Sequence, residues 1–171
     1  MIQFKRGDLA VYPNHGVGEI ISIEPRNEVQ CYVVNILSDG SKVIVPVETA
    51  EDTGLRELIS LEVAQEVYNC FKYRNLELLK MNWNKRYRFL QEKMKTGKVT
   101  DVATVISDLR FLKKKKGLSY GEERLLNDAE DILATELSIT EKLPKEEIVN
   151  KFHDSFKTKS STNTNSQPAA K

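Results

Sequence analysis

The first third of the chain carries short runs of β-branched and apolar residues, each bounded by turn-forming residues. The runs span residues 9–12, 17–24, 32–37 and 42–46. Between the last two lies Asp39-Gly40, a strong hairpin signal, because both residues tolerate the positive φ that a tight turn needs. Four or five strands this short and this close together predict a small, strongly bent antiparallel β-barrel.

After Pro46 the apolar residues recur with the period of a helix rather than that of a strand. Residues 48–59 predict a short helical connector, with Gly54 as its stop. Further helices are predicted over residues 60–72, 82–95, 99–116, 119–137 and 144–156, with a less regular link over 73–81. The predicted fold class is therefore α+β, an N-terminal β-barrel followed by a C-terminal all-α helical domain.

These patterns divide the chain into three parts. Residues 1–55 are expected to form the barrel domain, and residues 60–156 the helical domain. Residues 157–171 are rich in Ser, Thr, Asn and Gln and lack large apolar side chains. Such a segment cannot bury enough apolar surface to order itself, so a disordered tail is predicted.

The net charge of +1 hides an uneven distribution. Residues 1–53 hold 4 Lys/Arg and 8 Asp/Glu, a net of −4. Residues 71–126 hold 15 Lys/Arg and 6 Asp/Glu, a net of +9. This asymmetry indicates a polyanion partner for the helical part alone.

The only tryptophan of the chain, Trp83, stands beside the cations Lys85, Arg86 and Arg88 at the start of a predicted helix. It begins an apolar stripe that continues through Tyr87, Leu90 and Met94. Cations bind phosphate without reading sequence, and a large flat apolar side chain can wedge between bases. A DNA contact is therefore the functional hypothesis, while a tryptophan packed in the core is the structural alternative.

A run of four lysines, Lys113 to Lys116, ends the next predicted helix and is followed by Gly117. Cations suit the negative end of the helix dipole, and glycine suits the left-handed cap. A solvated helix end and a phosphate-contacting patch are both compatible with this run.

The chain offers little for catalysis or metal binding. Cys31, Cys70, His15 and His153 stand at no familiar metal-ligand spacing, and two distant cysteines make no disulfide scaffold. No phosphate-binding loop, nucleophile elbow or dinucleotide fingerprint occurs. We therefore expect a non-enzymatic protein without metal or cofactor. No run of signal-peptide or membrane-spanning length occurs either, which predicts a cytoplasmic protein.

An ordered set of short motifs gives these features a family context. The motifs are Phe4-Lys5-x-Gly7-Asp8, Val11-Tyr12-Pro13-x-His15-Gly16-Val17-Gly18, Val45-Pro46, Gly54-Leu55-Arg56, Trp83-Asn84-x-Arg86-Tyr87 and Ser119-x-Gly121-Glu122. No one motif is decisive, but the ordered set is specific. Over residues 2–139 the chain closely resembles the CarD/CdnL family of bacterial transcription regulators. Its first part also resembles the polymerase-binding module of the transcription-repair coupling factor.

The resemblance implies a Tudor-like barrel that binds the RNA polymerase β subunit and a helical domain that contacts promoter DNA. It implies that Trp83 is wedged into the minor groove at the upstream edge of the transcription bubble, which stabilises the open promoter complex. Arg26 matches a polymerase-contact arginine, and Arg88 matches a basic position that faces DNA. We expect the protein to be a monomer.

Two positions depart from the family pattern. A second basic polymerase-contact position falls at Ile44, and a DNA-contacting lysine of some members falls at Glu123. Neither role is carried over. Two other classes stay open: a free-standing architectural DNA-binding protein whose barrel serves another partner, and an enzyme of unrecognised type.

Overall fold

A computed structural model of the chain describes residues 2–157. Its first part is one antiparallel sheet of four strands in sequential order. The strands are β1 (Leu9–Tyr12), β2 (Gly16–Arg26), β3 (Val29–Ile36) and β4 (Lys42–Pro46). The pairing of β2 with β3 shifts register between Ile20 and Ser22, and a bulge of this kind bends and twists a strand. The sheet therefore curls into a Tudor-like half-barrel, as predicted.

Two of the three hairpin turns follow directly from local chemistry. Asn27 and Glu28 have φ of 49° and 67°, which is the conformation of a two-residue turn that matches the twist of the strands. In the turn between β3 and β4, Gly40 has φ of 70°, whereas Asp39 accepts a hydrogen bond from Ser41 N at 2.9 Å. The predicted hairpin is confirmed, but only the glycine of the pair uses the positive φ.

The predicted helical connector over residues 48–59 is wrong. Only a short 3₁₀ turn forms, over Val47–Thr49, and the chain then turns back along the barrel. The reason is the barrel core, which requires Ala50 and Leu55 as buried members. Beyond Leu55, the backbone of Arg56 pairs with Val11 of β1. The barrel therefore extends past the predicted boundary at residue 55.

Five α-helices and one 3₁₀ turn follow. They are α1 (Leu61–Cys70), the 3₁₀ turn Leu76–Leu79, α2 (Trp83–Lys95), α3 (Val99–Lys116), α4 (Tyr120–Glu141) and α5 (Lys145–Lys157). All five predicted helices of the second part are confirmed to within a few residues. The central helix is α3, whose residues from Val102 to Leu112 are largely buried between the other helices. The predicted disordered tail lies outside the described residues, apart from Lys157, which ends α5.

Three of the α-helices, α1, α2 and α4, begin at side-chain caps. The Ser60 hydroxyl accepts from Val63 N at 3.3 Å, and the Asn82 amide oxygen accepts from Lys85 N at 2.9 Å. At the start of α4, Ser119 and Glu122 form a reciprocal capping box. Each cap satisfies backbone donors that a helix start leaves open, so these residues fix where α1, α2 and α4 begin. No helix within residues 2–157 is both long and apolar enough to cross a membrane.

Candidate nucleic-acid interface

Trp83 occupies the first position of α2 and projects from the folded domain. The predicted stripe runs from the core to the surface: Leu90 and Met94 are buried, Tyr87 is half-buried, and Trp83 is 45% exposed. The stripe is therefore buried toward its C-terminal end and exposed at its N-terminal end, where α2 begins after its N-cap residue Asn82. Trp83 is therefore substantially exposed, as the DNA-contact hypothesis requires, and a tryptophan fully packed in the core is excluded.

The exposed indole is held in one place. It stacks on the ring of Tyr87 with centroids 5.4 Å apart and planes 12° apart. Its Nε1–H donates to the Ser119 hydroxyl at 2.6 Å. A Cβ added at Gly121 would lie 3.4 Å from Tyr87 Cε2 and 3.8 Å from Trp83 Cζ2, so the start of α4 packs directly on the stacked pair. The aromatic surface is thus presented in a fixed orientation.

Arg86 corrects the sequence prediction. Its side chain is 6% exposed, and its Nε donates to Glu122 Oε1 at 2.6 Å. Its Nη1 also donates to the carbonyl of Met81 at 3.1 Å. A guanidinium enclosed in this way does not reach a phosphate, so Arg86 belongs to the support of the surface rather than to the surface. The signal was in the spacing, because residues 86, 90 and 94 recur every four positions on the buried side of α2.

Glu122 is the buried partner that Arg86 needs. Burial on its own would raise the pKa of Glu122, but hydrogen bonds from Arg86 and Ser119 outweigh it and hold that pKa below its ordinary value. The carboxylate is therefore charged at neutral pH. Ser119 N donates to Glu122 Oε2 at 3.0 Å, and Arg86 binds Oε1, so both oxygens are engaged. One carboxylate thereby links α2 to the cap of α4.

Lys85 and Arg88 lie on the solvent side of α2. Neither side chain forms an ion pair with any of residues 2–157. The two cations stand two and five positions after Trp83, on the exposed faces of the same helix. Their charge is therefore available to an anion on the solvent side of this helix.

The lysine run at the end of α3 reaches the same end of the domain. Lys116 Nζ lies 3.5 Å from the carbonyl oxygen of Leu79, just before α2 begins. Lys113 pairs with Glu123, the acidic residue at the position where some family members have a DNA-contacting lysine.

Tyr120 follows Ser119, the hydrogen-bond partner of Trp83, and is 85% exposed; the sequence analysis missed it. Its position as the first residue of α4, between cap residues, was the available signal.

The barrel carries its candidate residue on a different surface. Arg26 ends β2, is exposed, and donates to Glu24 Oε1 at 2.8 Å. Residues paired across antiparallel strands project from the same face, and Arg26 pairs with Val29 while Ile44 pairs with Val33. Since positions 29 and 33 of one strand also share a face, Arg26, Val29 and Ile44 project from the same face of the sheet. All three are exposed.

The remaining candidates are structural. Within residues 2–157 no group of three or more His, Cys, Asp or Glu side chains is arranged to hold a metal ion. The His15 ring lies against that of Tyr12, with centroids 5.6 Å apart. Cys31 and Cys70 are buried, and burial raises the pKa of the Cys70 thiol, which disfavours the reactive thiolate.

Comparison with known proteins covers both parts of the fold. Residues 4–59 match the family described as "CarD-like/TRCF RID domain", and residues 66–153 match "CarD, C-terminal domain". A protein of Bacillus subtilis (strain 168) named "Putative transcription factor YdeB" is 28% identical over 149 residues, which is 85% of this chain and 97% of the relative. The two matched families meet at the junction between barrel and helices, in the order that the motifs predicted. The chain therefore belongs to the CarD/CdnL family of transcription regulators.

Proposed function

We propose that the protein binds the RNA polymerase β subunit through its barrel and promoter DNA through its basic helical domain. Trp83 enters the minor groove at the upstream edge of the transcription bubble and so stabilises the open promoter complex. Residues up to Arg56 form the polymerase-binding part, and residues 60–156 form the DNA-binding part. The protein acts as a monomer, in the cytoplasm where polymerase and promoter meet.

The observation that carries this proposal is the exposed, immobilised indole of Trp83. A large aromatic ring that is 45% exposed keeps apolar surface available to a partner. The hydrogen bond to Ser119 and the stack on Tyr87 hold the ring before any partner arrives. Little side-chain entropy is then lost on binding, which favours an insertion role.

The edge of a melted region is the place where such a wedge works best. Unstacking intact duplex costs about a few kcal/mol per base step. At the boundary of the bubble the last base pair already lacks a stacking neighbour on one side, so an inserted ring there replaces a lost stack. Trp83 then opposes reannealing, which is the step that closes the bubble.

Phosphate contacts hold the indole at the DNA. Lys85 and Arg88 are neighbours on the exposed face of α2 and have no ion-pair partners among residues 2–157. The lysine run of α3 adds cations close to the start of α2. Such contacts are independent of sequence, so they suit a protein that acts at many promoters.

The exterior barrel face of Arg26, Val29 and Ile44 supports a protein partner rather than DNA. A cation set among exposed apolar side chains is typical of protein interfaces, where arginine and apolar groups are enriched. The acidic balance of residues 1–53 opposes DNA binding by the same part. Ile44 stands where some family members have a second basic polymerase contact, and that role is not assigned to it.

The test is a footprint of promoter melting with purified RNA polymerase, with and without the protein. Reactivity of unpaired thymines should rise and persist longer after a competitor is added. Arg26→Glu should abolish this effect while the fold and the DNA affinity stay unchanged. An effect on DNA shape that does not require polymerase would instead favour the free-standing architectural protein.

A further inference from the structure

Arg56 joins the two domains through both its backbone and its side chain. Its backbone pairs with Val11 of β1, through hydrogen bonds of 2.8 and 3.1 Å. Its guanidinium makes two parallel bonds to Glu136 of α4, Nη1 to Oε1 at 2.6 Å and Nη2 to Oε2 at 2.9 Å. Its Nε donates to the carbonyl of Gly97, between α2 and α3, at 2.9 Å. One side chain thus fastens the barrel to two places on the helical domain.

Glu136 is buried at this junction between the two domains. Its side chain is 1% exposed, and Oε1 also accepts from the backbone N of Ile59 in the linker at 3.1 Å. Both carboxylate oxygens therefore accept hydrogen bonds from Arg56 or from the linker that follows it. Removing one partner of a buried pair leaves an uncompensated charge, so the pair behaves as a single unit.

Close backbone packing surrounds the ion pair. Pro13, in the loop between β1 and β2, lies between two glycines: a Cβ would sit 2.6 Å from its Cγ at Gly54 and 2.8 Å from its Cγ at Gly97. At Gly16 a Cβ would lie 3.3 Å from Cγ1 of Ile132 on α4. Packed surfaces of this kind have discrete arrangements rather than a continuous range of angles.

The ion pair stands outside both hydrophobic cores. The barrel core gathers around residues such as Tyr32 and Val34, and the helical core around residues such as Leu90 and Ile106, with no residue in common. Each domain therefore keeps its own apolar core if the junction is loosened. What the junction determines is the orientation of one domain relative to the other.

We propose that Arg56 and Glu136 are positioning residues, which fix the angle between the barrel face of Arg26 and the helical face of Trp83. This rests on the proposed function, in which one face binds polymerase and the other binds the bubble edge. With the barrel bound, a rigid junction gives Trp83 a high effective concentration at its target, and a loose one dilutes it over many orientations.

The test uses full-length Glu136→Gln, which keeps the side-chain volume, and Arg56→Lys, which keeps the charge but cannot bind both oxygens and Gly97 at once. The matched control is Glu130→Gln. Glu130 also lies on α4 and accepts from Arg110 Nε at 2.5 Å, but that pair lies wholly within the helical domain. Four quantities are measured at a temperature where all variants are folded: affinity for the isolated β subunit, affinity for promoter DNA, lifetime of the open complex, and the distribution of interdomain distances.

Distances come from spin labels on cysteines introduced at Ser38, in the exposed β3–β4 turn, and at Asn150, on the exposed side of α5. Both junction variants should broaden the distance distribution. Both binary affinities should stay within about twofold of the wild-type values, and the lifetime should fall about tenfold. Glu130→Gln should change neither the distribution nor the lifetime.

Three results would overturn the proposal. The first is a wild-type lifetime in a junction variant whose distance distribution has broadened. The second is a loss of lifetime that Glu130→Gln reproduces, and the third is a loss that merely follows weakened binding to the β subunit or to DNA. If neither the junction variants nor Trp83→Ala change the lifetime of the open complex, both the proposed function and this proposal are wrong.

Discussion

The indole of Trp83 and the hydroxyl of Ser119 are joined by a hydrogen bond of 2.6 Å, from the first residue of α2 to the N-cap of α4. The same hydroxyl accepts from Glu122 N at 3.3 Å, so it both caps a helix and holds the exposed ring. The orientation of Trp83 is therefore set by a residue 36 positions away in the chain. A substitution that removes the cap therefore also removes the hydrogen bond that orients the exposed indole.

Ser119→Ala should affect both stability and function. Loss of an N-cap costs about 0.5–2 kcal/mol, and the freed indole loses its fixed orientation. We expect a small drop in melting temperature together with a shorter open-complex lifetime. Ser60→Ala is the control, because it removes a comparable cap from α1 far from Trp83. Equal effects of the two variants on lifetime would contradict the link to Trp83.

Arg86→Ala should destabilise the helical domain rather than act on DNA directly. It would leave the buried Glu122 carboxylate without its charged partner, which costs about 3–5 kcal/mol for a buried pair. Urea denaturation should show the loss, and Lys85→Ala, one position earlier and exposed, should show almost none. A stable Arg86→Ala protein with weakened DNA binding would restore Arg86 to the DNA surface.

The contrast between Arg86 and Trp83 shows what the sequence could predict. Strand runs, helix periods and cap residues are local, so the barrel, the five helices and the exposed start of α2 were predictable. Whether the cation at position 86 faced water depended on Glu122, and that contact spans 36 positions. The ion pair between the domains is even harder to predict from the sequence, since Arg56 and Glu136 are 80 positions apart. The helical connector predicted over residues 48–59 was wrong for the same reason: the position of Leu55 depends on its packing in the barrel core, which local sequence does not show.

Lys85→Ala and Arg88→Ala should flatten the salt dependence of DNA binding. Each phosphate contact removed should reduce the slope of log affinity against log salt by about 0.9 for duplex DNA. Because both side chains are exposed and unpaired within residues 2–157, the melting temperature should stay within the measurement error. Binding titrations across a range of salt concentrations provide the measurement. An unchanged slope in the double variant would mean that these cations only face solvent.

Asp108 gives the helical domain a predictable pH dependence. Burial in the middle of α3 raises the pKa of this carboxyl from 3.8 to about 6, which hydrogen bonding from Asn75 N and the charges of Lys93 and Arg74 only partly offset. Between these two values the folded protein keeps a proton that the unfolded chain releases. This group's contribution to stability is therefore complete below about pH 4 and is lost as pH rises through 6.

Asp108→Asn should remove that dependence. The amide keeps an oxygen for Asn75 N but carries no charge, so the variant should be more stable than the wild type at pH 7.5, by at most about 3 kcal/mol. At pH 4 the two proteins should unfold at nearly the same urea concentration. A variant that is destabilised equally at both pH values would show instead that the carboxylate is held ionised by Arg74.

Trp83→Ala separates support of the fold from function at the bubble. Truncation of a fully buried tryptophan costs about 3–5 kcal/mol, which would unfold much of a marginally stable domain. Trp83 is 45% exposed, so the loss should be limited to the stack on Tyr87, one hydrogen bond and the contact with the start of α4, about 1–3 kcal/mol. The melting temperature should therefore fall by only a few degrees, and barrel-mediated binding to polymerase should be unchanged.

The lifetime of the open complex should fall much further than this stability loss explains, because no ring then opposes reannealing at the upstream edge. Trp83→Phe is the matched variant: it keeps an aromatic ring able to stack but cannot donate to Ser119. It should recover part of the lifetime, since insertion needs a flat apolar group more than it needs the N–H. Thermal melting and promoter-complex lifetime are measured on the same preparations. A large drop in melting temperature, or a wild-type lifetime in a well-folded Trp83→Ala protein, would rule out the wedge.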